Sequence, residues 1–207
     1  MEVEISANSC GIDARCKPEP YADQARAYYA AKDPAHDFVH VQRILARLDS
    51  LRDGQQPRLH LLYFLACFHG LVPNLDDPGF RRDTAAFLGS LGWPAEEVTQ
   101  ALISLERHLK EPMLLEEELV HDANFLEAVG AFGIAKAFTT GGARGQHYEE
   151  SIERARFFID QPVFRTRLGK DLAVERRAYA HSFLDVLEAE LAAELSVRSE
   201  GTRRTAR

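Results

Sequence analysis

Leu61 to Phe68 reads Leu-Leu-Tyr-Phe-Leu-Ala-Cys-Phe, an unbroken apolar and aromatic run. Such a run has no polar stripe to show water, so it predicts an element buried on every side. It is far short of the ~18–20 residues that span a bilayer. Gly70 and Pro73 follow it, so the run predicts a central helix from about Arg58 to His69. A helix of that kind needs other helices to cover it, and the flanking sequence supplies them. Phe38, Val41, Leu45, Leu48 and Leu51 recur at three- and four-residue steps, and Asp53-Gly54 ends that stripe. Asp33-Pro34 reads as its start, with Asp as N-cap and Pro at the first helical position. Further helices are expected near 79–90, 94–110, 114–121, 122–139, 147–160 and 163–196. Period-two alternation never persists. The expectation is an all-α, single-domain bundle of about eight helices over 20–196, with an irregular segment 1–19 and a disordered basic tail 197–207.

Composition narrows the function. Of 207 residues, 45% are apolar, enough for a real core. The formal charge is −7, against broad coating of a nucleic-acid polymer, which needs a positive field. Arg198, Arg203, Arg204 and Arg207 sit in the tail and read as a solvated terminus. The first residues, Met1-Glu2-Val3-Glu4-Ile5, lack the basic and apolar regions of a signal peptide. Cys10, Cys16 and Cys67 are an odd number and suggest a reducing compartment, most simply the cytoplasm, and no membrane partner is expected. Cys10 and Cys16 read as ordinary thiols, with a redox or metal pair as the alternative. Cys67 reads as a small core residue.

Three segments carry residues capable of chemistry. In His36-Asp37-Phe38-Val39-His40, the two histidines are four apart and are expected on one helix face, continued by Arg43 and Arg47. Imidazole ligates metals and guanidinium grips phosphate bidentately, so such a stripe suits an anionic substrate. A plain solvated face is the competing reading. His69 closes the apolar helix, with Gly70 expected in the left-handed position after it. The third segment runs from His121 to Phe138. In it Asp122 reads either as functional or as the N-cap of a helix over 122–139. Gly130 and Gly133 would lie inside that helix, costing about 1 kcal/mol each unless a close approach requires them. Thr139 to Gly145 follows as a loop carrying Arg144.

Together these segments resemble the HD-domain superfamily of metal-dependent phosphohydrolases. They are most similar to the compact bacterial branch that includes nucleoside-triphosphate pyrophosphohydrolases. That branch carries a segment like HDxxHVxRV, an apolar helix ending in a His-Asp doublet, and a segment close to QDADRLDALGAIGIARAF. The resemblance covers about Asp33 to Glu190 and implies a four-ligand site for a divalent metal (Mn, Fe, Zn or Mg). His40, His69 and Asp122 match three of its ligands. Gly70 stands where the doublet Asp belongs, and Asn124 and His121 replace the usual Asp and Gln. Asp76, Asp77, His108 and His121 are candidates for a replacement ligand.

The resemblance implies hydrolysis of a small, anionic phosphorylated or nucleotide substrate. His36, Arg43, Lys136 and Arg144 would neutralise its phosphates, and Asp37 and His36 would be the candidate catalytic groups. Two alternatives follow from Gly70. Two imidazoles and one carboxylate also make the site of a non-haem iron oxygenase or lyase. With the metal lost altogether, the fold would remain as a binding module.

Overall fold

The structure, a computed structural model, describes residues 13–204, with side-chain surroundings through Ala193. The all-α expectation holds, and no strand occurs among the described residues. The helices are α1 (Glu19–Tyr29), α2 (Phe38–Arg52), α3 (Leu59–Phe68), α4 (Pro78–Ser90), α5 (Ala95–Arg107), α6 (Leu115–Phe125), α7 (Gly130–Ala143), α8 (Tyr148–Asp160) and α9 (Arg167–Arg204). Short 3-10 segments cover Ala14–Cys16 and His69–Asp76. Cys10 lies outside the described residues, and with it the Cys10–Cys16 pair. Residues 205–207 of the basic tail also lie outside, and α9 continues through Arg204. Among the described residues no helix is long and apolar enough to cross a membrane.

The chain divides into two compact units. One comprises the described residues up to Asn124 together with Phe164–Lys170; the other comprises Phe125–Val163 and the residues from Asp171 onward.

In the first unit α3 is the central helix, packed by α1, α2 and α5. Seven of its ten residues, from Leu61 to Phe68 apart from Tyr63, are buried. Fully burying each large apolar side chain contributes about 1.5–3 kcal/mol, so the run commits the chain to covering this helix. Tyr21, Phe64 and Trp93 meet edge to face, and the Trp93 indole N–H donates to the Tyr21 hydroxyl at 3.2 Å. Cys67 is a free thiol within this core, and burial pushes its pKa up to about 12.

Helix α1 is the additional element beyond the expected eight. Pro18 and Pro20 stand at its entry, and it buries Tyr21, Ala25 and Tyr29 at four-residue steps. The next helix starts later than Asp33. Asp37 is its N-cap, accepting the Val39 N–H at 2.9 Å, and Asp33 instead holds the turn before it.

In the second unit α7 packs on α8. Ile134, Ile152, Ala155, Ile159, Ala180 and Leu184 form its core. The helix expected over 122–139 begins only at Gly130, and the one expected over 114–121 runs on to Phe125. Asp122 lies inside α6 and caps nothing, because the break falls later, where Val129 is extended and Gly130 adopts φ +75°. Gly133 is inside α7, and a Cβ there would collide with the Ala128 carbonyl oxygen. Its helix cost is therefore offset by a close backbone approach. Gly133→Ala is expected to destabilise the fold by about 1–3 kcal/mol through forced overpacking. A thermal melt followed by circular dichroism reads this as a lower Tm, and an unchanged Tm would contradict it.

Candidate functional site

The first unit brings two predicted residues together. His40 lies in the first turn of α2 and His69 at the end of α3, both buried, with ring centroids 4.8 Å apart at 75°. The His69 Nδ1–H donates to the Ala66 carbonyl at 2.8 Å. A carbonyl only accepts, so Nδ1 carries a proton. The His40 Nε2–H donates to the amide oxygen of Asn124 at 3.1 Å. The third segment therefore reaches this pair through Asn124.

His36 precedes α2 and is not on its face, since the helix begins at Phe38. Its Nδ1–H donates to the Asp33 carboxylate at 2.9 Å, and its ring still lies 6.4 Å from that of His40. Arg43 and Arg47 follow His40 on α2 at helical spacing. Asp37 spends its carboxylate on the N-cap.

The surroundings of Gly70 differ from the expected turn. Gly70 has no positive φ, and the chain runs straight from α3 into the 3-10 segment. Its backbone is satisfied by distant side chains instead. Its N–H donates to the Tyr29 hydroxyl at 3.1 Å, that hydroxyl donates to the Cys67 carbonyl at 3.1 Å, and the Lys32 ammonium donates to the Gly70 carbonyl at 2.5 Å. A Cβ at position 70 would stand 2.9 Å from the Tyr29 hydroxyl oxygen and 3.0 Å from its ring. The space that a side chain at position 70 would need is thus filled by the Tyr29 phenol. Burial raises the Tyr29 pKa, keeping the phenol protonated. Burial also lowers that of Lys32, with Asp33 acting the other way. Neither Tyr29 nor Lys32 stands out in the sequence; both are ordinary α1-region residues until α1 is placed beside α3.

Asp122 is fully buried and its carboxylate is committed elsewhere. It accepts the Arg165 N–H at 3.0 Å, the Thr166 N–H and hydroxyl each at 2.7 Å, and the His121 Nδ1–H at 2.9 Å. The Thr166 hydroxyl in turn accepts the Gly169 N–H at the start of α9. A Cβ at Gly169 would collide with the Asp122 carboxylate. Lys136 and Arg144 belong to the second unit. There Lys136 faces buried Glu127 at 3.9 Å, and Arg144 is an exposed residue at the end of α7. Of the suggested replacement ligands, Asp77 caps α4 through the Gly79 N–H at 2.8 Å. Asp76 ends the 3-10 segment, and His108 is fully buried with Nδ1–H on the Leu105 carbonyl.

No protein-family profile matches the chain. The YpgQ protein of Bacillus subtilis (strain 168) is 26% identical over 192 residues, spanning 82% of this chain and 93% of YpgQ. The crystal structure of YpgQ in complex with ADP matches with a TM-score of 0.61 at 23% identity, covering 82% of this chain and 97% of YpgQ. An HD-superfamily hydrolase from Bacillus thuringiensis matches at 0.63 and 22% identity, covering 86% and 100%. The chain shares the all-α fold of these proteins.

The divalent metal that the sequence resemblance implies can be tested on the donor set. His40 and His69 suit it; the rest do not. Asn124 brings a neutral amide, Gly70 brings nothing, and Asp122 is turned to the 165–166 backbone. Among the described residues no group of three or more His, Cys, Asp or Glu side chains is placed to hold a metal ion. The residues present thus do not fit the expected three-ligand centre.

Two expectations follow. Asp122→Ala strips buried donors of a charged acceptor, and hydrogen bonds to charged groups contribute about 1.5–3 kcal/mol each. Its Tm should fall well below wild type; a Tm equal to wild type would contradict the anchoring role. For His108, burial lowers the pKa from 6.5 to about 4. The unfolded chain takes up this proton near 6.5 and the folded chain only near 4. Stability from the neutral ring is therefore complete above about 6.5 and declines as pH falls toward 4. Urea midpoints across that range should decline less steeply in His108→Gln than in wild type.

Proposed function

We propose that this protein acts on a small phosphorylated molecule of the nucleotide class at the site around His40 and His69. Hydrolysis of a phosphate ester or phosphoanhydride is its reaction class. The observation that carries this reading is the apposed imidazole pair, 4.8 Å apart between α2 and the end of α3, within the HD-hydrolase fold. The ADP complex of YpgQ, a protein similar over most of both chains, supports the ligand class. His36 and Arg43 are the groups nearest His40 in sequence that suit phosphate. A guanidinium offers a bidentate fork, and a protonated imidazole adds charge-assisted donation. Asp37 serves as a positioning residue, fixing the first turn of α2 on which His40 stands. Asp122 orients the 165–166 segment through the Thr166 N–H and hydroxyl.

A second reading, a catalytically degenerate binding module on the same fold, is favoured by the filled space at Gly70 and the neutral amide at Asn124. The oxygenase or lyase reading needs Asp122 as an open third ligand, and no observation favours it.

Phosphate release from a panel of nucleotides and phosphomonoesters, each with Mn²⁺, Fe²⁺, Zn²⁺, Mg²⁺ or EDTA, separates these readings. Release from any substrate, abolished in His40→Ala, supports hydrolysis. Saturable ADP binding without release supports the module. Neither binding nor release overturns both. Arg43→Ala is expected to weaken ADP binding about tenfold, equivalent to about 1.4 kcal/mol, measured by calorimetric titration.

A further inference from the structure

A divalent cation is held by three or more converging donors, most often with at least one carboxylate or thiolate among them. Around His40 and His69 no such set forms among the described residues. Position 70 has no side chain, and Tyr29 occupies the room one would need. Asn124 meets His40 with a neutral oxygen. The nearest buried acid on that segment, Asp122, accepts from two backbone N–H groups, a hydroxyl and an imidazole. Meanwhile a cation has been brought to the residue beside His69. Lys32 is half-buried, its ammonium rests on the Gly70 carbonyl, and it lies 5.0 Å from the centre of the Tyr29 ring. The acid next to it in sequence, Asp33, is engaged by His36 Nδ1 and by the Ala35 N–H.

Resting on the phosphorylated-ligand reading above, we infer that this site binds the phosphate of its ligand without a resident metal ion, and that the Lys32 ammonium, anchored on the Gly70 carbonyl, supplies the positive charge in its place. The Tyr29 hydroxyl, Gly70 and Lys32 form one unit in this account. The glycine opens the space, the phenol fills it and ties α1 to the end of α3, and the lysine three residues further on reaches the carbonyl that the same strand of backbone leaves exposed. A lysine ammonium is a compact point charge with three donors, so it can keep the carbonyl and still donate to a phosphate oxygen.

The test is calorimetric titration of the full chain with ADP and with inorganic pyrophosphate, first in EDTA and then with Mn²⁺ or Zn²⁺. Wild type is expected to bind both in EDTA, with affinity little changed by either metal. Lys32→Gln should weaken both by about tenfold or more, as for loss of a charge-assisted contact, while Lys32→Arg retains most of the affinity. Melting curves establish that each variant is folded. Lys32→Met, which keeps the stem over Tyr29, replaces Lys32→Gln if that variant melts early. Equilibrium dialysis of wild type should find no stoichiometric divalent ion. ADP binding that appears only with metal overturns the inference and leaves the phosphorylated-ligand reading standing. Wild-type affinity in a folded, uncharged Lys32 variant also overturns it. No ADP or pyrophosphate binding under either condition overturns both.

Discussion

The contact between Tyr29 and Gly70 organises this end of the first unit. The phenol bridges the Cys67 carbonyl and the Gly70 N–H, so the last turn of α3 passes into a 3-10 segment instead of closing with a left-handed glycine. His69 stands at that junction and is aimed by it. A buried hydroxyl with both a donor and an acceptor partner is stable where an unsatisfied one would cost about 1–3 kcal/mol. That geometry brings the Tyr29 hydroxyl within 2.9 Å of where a Cβ at position 70 would stand, so a larger residue there requires the phenol to shift. Glycine at position 70 is therefore part of a packed arrangement, with a tyrosine against it and a lysine on its carbonyl.

Asp122 provides the second constraint. Its carboxylate gathers the Arg165 and Thr166 backbone, the Thr166 hydroxyl and His121, and so attaches the Phe164–Lys170 segment to α6 within the first unit. Two residues along the same helix, Asn124 turns to His40. The register of α6 thus separates an anchoring residue from a site-facing one. Direct sequence correspondence with the HD pattern points to Asp122 as a ligand; the hydrogen bonds point to Asn124 as the neighbour of the imidazole pair.

Much of the architecture was legible in residue order. The apolar run of α3, the stripe of α2 and the near absence of alternating patterns all state helix periodicity directly, and burial follows periodicity. Helix ends were less legible. Asp33 and Asp37 are both sound N-cap residues, and only the hydrogen bond to Val39 decides between them. Gly130 and Gly133 look alike in sequence, yet one turns the chain at φ +75° and the other makes room for a carbonyl. Helix α1 was hidden by two prolines and a thin apolar stripe.

Sequence alone determined that this chain is helical, that Leu61–Phe68 must be covered, and that His40 and His69 are worth bringing together. Tertiary structure decided what surrounds them. The partners that settle the site are far apart along the chain: Tyr29 and Gly70 are separated by 41 residues, and Asp122 and Thr166 by 44. Hydrogen bonds over such distances leave no period or spacing to read, because they depend on how helices are placed side by side, and that placement is set by the packing of all of them at once.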